Sequence, residues 1–236
     1  MLQLERAESD LGDFRLRADF TIEAGARVAV IGPSGSGKST LLGMIAGFVP
    51  LSAGRILWRG TDLSQLAPGA RPVSILFQDQ NLFPHLSVGQ NVGLGLRPNL
   101  RLDAGQKRAV AQALHQVGLD GLADRRPAQL SGGQQSRVAL ARVALREQPI
   151  LLLDEAFSAL GPALKDEMLS LLMGIADRSG LTVLMVTHDP QDARAFAAQT
   201  VAVIDGQVSP PQPTAALLDT PPPALAEYLG AGPPRR

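Results

Sequence analysis

Apolar and polar residues alternate twice near the start of the chain. Residues 1–8 place Leu2 and Leu4 on one side and suggest an edge strand. Over Phe14–Ile22 the alternation is stricter, with Phe14, Leu16, Ala18, Phe20 and Ile22 on one face. Alternation then gives way to short apolar runs at Arg27–Ile31, which is rich in β-branched residues, and at 150–153, Thr182–Val186 and 201–204. Such runs are the pattern of strands buried on both faces of a parallel sheet. Residues 55–58 and Val73–Phe77 read as further strands, and residues 39–46 and 163–176 as helices. Helical patterns at 104–118 and 134–146 dominate the stretch from 78 to 147. Strands alternating with helices predict an α/β fold with a parallel sheet. The prolines at 210, 211, 213 and 221–223 predict a loosely structured tail.

Bulk properties narrow the function. The 236 residues are 45% hydrophobic and 19% charged, which is a globular composition. Lys plus Arg and Asp plus Glu both total 22, so no basic footprint speaks for a nucleic-acid partner. With no cysteine there is neither a disulfide framework nor a thiolate metal site. No stretch approaches the roughly 20 apolar residues that span a bilayer, and residues 1–10 lack the apolar core of a signal peptide.

The strongest chemical signal is Gly32-Pro33-Ser34-Gly35-Ser36-Gly37-Lys38-Ser39-Thr40, a full G-x-x-x-x-G-K-[ST] between a predicted strand and a predicted helix. Its glycines let successive N–H groups turn into one concavity, and the helix start adds partial positive charge. Lys38 is expected to reach the β- and γ-phosphates of a nucleotide, Ser39 to hold Mg²⁺, and Thr40 to be a secondary contact. Downstream, four apolar residues lead into Asp154 and Glu155. Carboxylates at the C-terminal edge of a parallel sheet lie where α/β folds bind ligands. Asp154 suits support of Mg²⁺, and Glu155 suits orientation and deprotonation of an attacking water. Strand alternation is expected to point the two acids to opposite sides. A second anion-binding candidate is Leu130-Ser131-Gly132-Gly133-Gln134, where Ser131 is a candidate N-cap and two glycines bare backbone N–H groups ahead of a helix.

Leu130 to Gln134 followed by Arg137-Val138-Ala139-Leu140-Ala141-Arg142 resembles the signature stretch of ATP-binding cassette (ABC) ATPases. The phosphate loop, Gln78, the signature, Asp154-Glu155 and His188 recur in that family's order, over residues 1–208. The resemblance implies a P-loop NTPase (RecA-like) core at 1–77 and 148–208, with an N-terminal antiparallel β region. It also implies an inserted helical signature subdomain at 78–147, followed by the Pro-rich tail at 209–236. Two copies would pack head to tail as a homodimer, so that Ser131, Gly132, Gly133 and Gln134 of one complete the ATP site of the other. Gln78 would ligate Mg²⁺ or the water, and His188 would bond the γ-phosphate. His85 and His115 have no such support.

Two positions depart from the family pattern. Ala156 stands where proline is usual and should loosen the turn, and Gly161 stands where aspartate is usual. The aromatic that stacks on adenine falls at Leu11, with Phe14 the nearest aromatic ring.

The segment from Arg71 to Leu96 and Arg146-Glu147-Gln148-Pro149 resemble the ATPase subunits of bacterial thiamine importers. That resemblance implies a peripheral subunit on the cytoplasmic face of the inner membrane. Its partners would be transmembrane permease subunits and, indirectly, a periplasmic solute-binding protein, with no nucleic acid. Leu82, Phe83 and Leu86 are candidates to meet the permease. The alternatives are the same motor serving an inorganic anion, iron or a polyamine, and a soluble non-transport ABC ATPase.

Overall fold

The computed structural model describes residues 1–79 and 81–229. Its strands are β1 (Leu2–Leu11), β2 (Phe14–Ile22), β3 (Arg27–Ile31), β4 (Ala53–Trp58), β5 (Thr61–Asp62), β6 (Val73–Phe77), β7 (Ile150–Asp154), β8 (Thr182–Val186), β9 (Gln199–Ile204), β10 (Gln207–Val208) and β11 (Gln212–Pro213). Its helices are α1 (Lys38–Ala46), α2 (Val88–Gly93), α3 (Ala104–Gln116), α4 (Gly132–Arg146), α5 (Pro162–Ser179), α6 (Pro190–Phe196), α7 (Thr214–Asp219) and α8 (Pro223–Tyr228). Two compact units divide them. One comprises residues 1–73, 152–154 and 182 onward, and the other residues 74–151 and 155–181.

In the first unit the strands run β5-β4-β1-β2-β10-β9-β3-β8-β7, with β11 pairing β9 off this path. β1, β2 and β4 form the expected antiparallel region. β3 lies parallel to both β8 and β9, with Val30 opposite Val186 and Val201. Val28, Ala29, Val30, Val183 and Leu184 are fully buried, as strands covered on both faces require. Each valine or leucine side chain among them contributes about 1.5–3 kcal/mol by leaving water.

Two expectations from the sequence fail here. β1 is not an edge strand, because β4 pairs along its far side with Leu2 opposite Trp58, and the two-residue β5 takes the edge. Between Leu4 and Ala7 the register shifts at Arg6, whose φ is +45°. Gly54 allows this bulge, since a Cβ there would lie 2.0 Å from the Arg6 carbonyl oxygen. Nor is the Pro-rich stretch loose over 212–228, where β11, α7 and α8 form. Its prolines sit where a missing N–H costs nothing, as at the first position of α8. Leu217 and Leu225 anchor the two helices in the core. The last seven residues of the tail lie outside the described part.

The second unit is mainly helical. Three of its helices start with reciprocal caps in which a side chain accepts from the backbone and another returns the bond: Ser87 with Gln90, Asp103 with Gln106, and Ser131 with Gln134. Val88 and Val92 of α2, Val110 and Leu114 of α3, and Val138 and Ala141 of α4 share one core. Helix α5 packs closely on α4, because Gly133 leaves room for the Leu164 side chain. A Cβ on Gly133 would come within 2.7 Å of Leu164 Cδ2.

Candidate nucleotide-binding site

The loop at 32–37 is held from three sides within the first unit. Gly32 has φ +154° and presses on β9, where a Cβ would lie 2.0 Å from the Val203 carbonyl oxygen. Asp205 and Gly206 both have positive φ and turn β9 into β10, the geometry of a type I′ hairpin. From that turn Gly206 N donates to Ser36 O at 3.3 Å. Gly37, at φ +107°, faces Phe14 and Leu16 of β2, and either ring or methyl would be 2.7 Å from a Cβ there. This loop tolerates side chains at neither Gly32 nor Gly37, and its backbone N–H groups are correspondingly close to any ligand.

Lys38 opens α1 and is buried, with Nζ donating to Gly32 O at 2.9 Å and Pro33 O at 2.7 Å. Ser39 Oγ donates to Asp154 Oδ1 at 3.0 Å, which joins the phosphate loop to the end of β7. Ser36 Oγ is buried and has no hydrogen-bond partner, so the loop holds a spare polar atom at its centre. Thr40 follows within α1. A hydroxyl and one carboxylate suit Mg²⁺, which dehydrates reluctantly and takes much of its shell from phosphate and water. Among the described residues no cluster of three His, Cys, Asp or Glu offers an all-protein cage instead. The residues therefore fit Mg²⁺ carried with a nucleotide.

Beside the loop lies a cleft of about 530 Å³ lined by Asp13, Phe14, Arg15, Arg17, Asp205, Gln207 and residues 33–36. Phe14 lines it; Leu11, 43% exposed at the hairpin tip, does not. Arg15 is ion-paired with Asp10, and its hydrogen bond holds the Asp10 carboxyl below the usual carboxylate range. The cleft thus offers a ring, guanidinium planes and amide or carboxylate hydrogen-bonding groups within reach of a base whose phosphates fill the loop.

His188 is exposed in the loop after β8. Its setting is rigid: Thr187 Oγ1 donates to Asp192 Oδ2 at 3.0 Å and accepts from Asp189 N at 3.1 Å, while Asp189 caps α6. Tyr228 Oη of α8 donates to His188 O at 3.4 Å. Arg71 lies at the far end of α1 from the phosphate loop. Only 4% exposed, it donates to the carbonyls of Met44, Ile45, Ser64 and Leu66 and so closes the C-terminal end of α1.

Gln78, Ser131 to Gln134 and Glu155 fall in the second unit. Gln78 is exposed in the turn after β6. Ser131 caps α4 as expected, with Gln134 N donating to its Oγ at 3.3 Å and its own N donating to Gln134 Oε1 at 3.0 Å. Gln134 therefore shapes the helix start. Gly132 is open and Gly133 is buried against Leu164, so only the first of the two glycines is bare. Glu155 lies beyond the end of β7 with φ +50°, so a left-handed turn rather than strand alternation directs its side chain. Such a conformation costs about 1–3 kcal/mol for a non-glycine residue and is held here by bonds from Ser158 N and Oγ to Glu155 O. That turn closes with Ala156 after the acid. Gly161 serves as the N-cap of α5 and supplies no side-chain bond.

The residues with weak sequence signals were Arg71, Thr187 and Asp192. Charged or polar residues outside any motif reveal such roles only when the fold gives them partners. The Asp205-Gly206 pair was a legible hairpin signal.

Among the described residues no helix is long and apolar enough to cross a membrane. The family model described as ABC transporter matches residues 16–158. The thiamine import ATP-binding protein ThiQ of Cereibacter sphaeroides is 63% identical over 98% of this chain and 100% of its own length. The protein of the same name from Brucella suis is 47% identical over 97% of this chain and 95% of its own. A dimeric ATP-binding cassette in a post-hydrolysis state, bound to ADP and Pi, superposes with a TM-score of 0.77 at 30% identity, covering 91% of this chain and 99% of that one. A phosphate loop joined by its serine to a strand-end carboxylate, a capped glycine-bearing signature helix and these full-length likenesses together make the chain a member of the ABC transporter ATP-binding family.

Proposed function

We propose that two copies of this chain, seated on the cytoplasmic face of a bacterial inner membrane, hydrolyse ATP to drive thiamine uptake through a transmembrane permease fed by a periplasmic solute-binding protein. The observation that carries the ATPase half is the Ser39–Asp154 pair beside the buried Lys38. The solute rests on relatives that carry the name of thiamine import proteins and match this chain over nearly its whole length.

Lys38 gives up loop carbonyls for phosphate oxygens, a stronger, charge-assisted partner. Residues 32–37 supply backbone N–H groups to the same oxygens. Ser39 and Asp154 would hold Mg²⁺, with Gln78 a further ligand by its place in the motif series, and the ion would supply positive charge against the phosphates. Glu155 accepts the proton of a water whose oxygen bonds to the γ-phosphorus as the bond to the β–γ bridging oxygen breaks and ADP leaves. His188 donates to the γ-phosphate, and Ser131 and Gly132 of the second copy approach it from the other side. Loss of the shared γ-phosphate removes the reason for the copies to stay closed, a switch by differential affinity.

The test is reconstitution of the chain with its permease and binding protein in liposomes. Thiamine should stimulate ATP hydrolysis, and Glu155→Gln should abolish turnover. Stimulation by an inorganic anion, iron or a polyamine in place of thiamine would overturn the solute.

A further inference from the structure

The loop at 81–87 is fastened to helix α4 in three ways, all inside the second unit. Arg142 Nη1 of α4 donates to Asn81 O at 2.8 Å, and Asn81 is turned into the left-handed region at φ +47°. Leu82 packs against the core that Val138 and Ala141 of α4 help to form. Asn91 of α2 is wholly buried and spends its side chain on loop backbone: Oδ1 accepts from Phe83 N at 2.8 Å. Its Nδ2 donates to Phe83 O at 3.1 Å, Leu86 O at 3.3 Å and Ser87 O at 3.0 Å. α2 in turn buries Val88 and Val92 in the same core as α4. The aromatic residue that this rigid loop carries nevertheless points outward. Phe83 is 46% exposed, with its ring edge-on to His85 at 6.0 Å between centroids. A loop this thoroughly tied down does not need its one phenyl ring in water for its own stability.

We infer that Arg142 and Asn91 are positioning residues that make the Phe83 loop and the signature helix one rigid body, so that a load applied at Phe83 by the transmembrane partner reaches Ser131 undiminished. This rests on the proposed function as the motor of a permease. Arg142 stands eleven residues beyond Ser131, so α4 carries the displacement about 16 Å along its axis. Leu82, a candidate for the same surface by sequence, belongs to the interior side of the loop. Arg142 touches neither nucleotide nor water in this scheme and acts only through the loop and the helix.

The test has two arms. In the isolated chain, Arg142→Met should speed amide hydrogen exchange at residues 82–86 about tenfold, the equivalent of one charge-assisted hydrogen bond, while residues 32–40 keep wild-type exchange. In the complex reconstituted in liposomes, the same change should lower the ratio of permease-stimulated to basal ATPase about tenfold and leave the basal rate within twofold. Arg142→Lys, whose ammonium still reaches Asn81 O, should recover most of that ratio. Unaltered exchange at 82–86, or an unaltered ratio despite faster exchange, overturns the inference. A wild type stimulated by a solute other than thiamine sinks the solute proposal alone, and the ratio is then read with that solute. A wild type that no permease stimulates sinks both.

Discussion

Replacing Arg71 with methionine tests how the phosphate-loop helix is held at its far end. The last carbonyls of a helix have no partner within it, and Arg71 meets two of them, Met44 O at 2.7 Å and Ile45 O at 3.0 Å. It also meets Ser64 O at 3.1 Å and Leu66 O at 3.0 Å. Hydrogen bonds to a charged group contribute about 1.5–3 kcal/mol each, which summed over four bonds is about 6–12 kcal/mol. That sum is too high, because the guanidinium is itself desolvated. Burial alone pulls its pKa down, with only a weaker opposing pull from Asp62. Leaving a buried carbonyl without a donor costs about 1–3 kcal/mol, and with relief of the buried charge offsetting part of that over the four carbonyls, about 3–5 kcal/mol is expected here. For a chain of this size each kcal/mol moves the melting midpoint by about 2–4 °C, so Arg71→Met should melt about 6–20 °C lower by scanning calorimetry. Arg71→Lys should recover less than half, since three donors on a point charge cannot match the planar fork that meets all four carbonyls. Helix α1 separates Arg71 from Lys38 by nine residues, about 13 Å, so ATP affinity measured well below melting should change less than about threefold. A melting shift under about 2 °C would show that the end of α1 does not depend on Arg71.

Other changes test other parts. Lys38→Ala should weaken ATP binding by about 10- to 100-fold in calorimetric titration, the loss of one charge-assisted contact to phosphate. Gly32→Ala and Gly35→Ala both place a side chain at positive φ, but only the first drives its Cβ to 2.0 Å from backbone. Gly32→Ala should therefore fail to fold or lose more than about 3 kcal/mol in urea unfolding, against about 1 kcal/mol for Gly35→Ala. Gly161→Asp meets open space at an ordinary φ of −66° and adds the missing side-chain cap of α5, so it should raise stability by a few tenths of a kcal/mol.

Much of the candidate site was legible because it rests on local rules. A glycine loop between a buried strand and a helix can be read from composition and period alone, and so can Ser131 ahead of a helix with Gln134 three residues on. The strands β2, β3, β6 and β8 lie where the hydrophobic pattern places them, and α1 begins one residue early, at Lys38. What escaped depends on partners distant in sequence. Helix α2 is short and glycine-bearing, with a weak period of its own, and is stabilised by its caps and by the core it shares with α3 and α4. The strand at the start of the chain reads as an edge because its charges alternate with its leucines, and only the pairing with β4 makes it internal. Proline content predicts a loose tail. Leu217, Leu225 and the buried pair of Thr200 and Thr214 hydroxyls at 2.9 Å decide otherwise. Arg71 shows the same limit: a lone arginine before a proline gives no hint that four carbonyls await it.

In the proposed function ATP is clamped between two copies, with the phosphate loop of one and the Ser131 helix start of the other on the same γ-phosphate. The most direct test is the mass of Glu155→Gln in solution by light scattering, with Mg²⁺–ATP and with Mg²⁺–ADP. The expected result is a dimer with ATP, a monomer with ADP, and loss of the ATP dimer when Ser131→Arg is added while ATP binding to the single copy persists. A mass indifferent to the nucleotide, or an ATP dimer that survives Ser131→Arg, would contradict it.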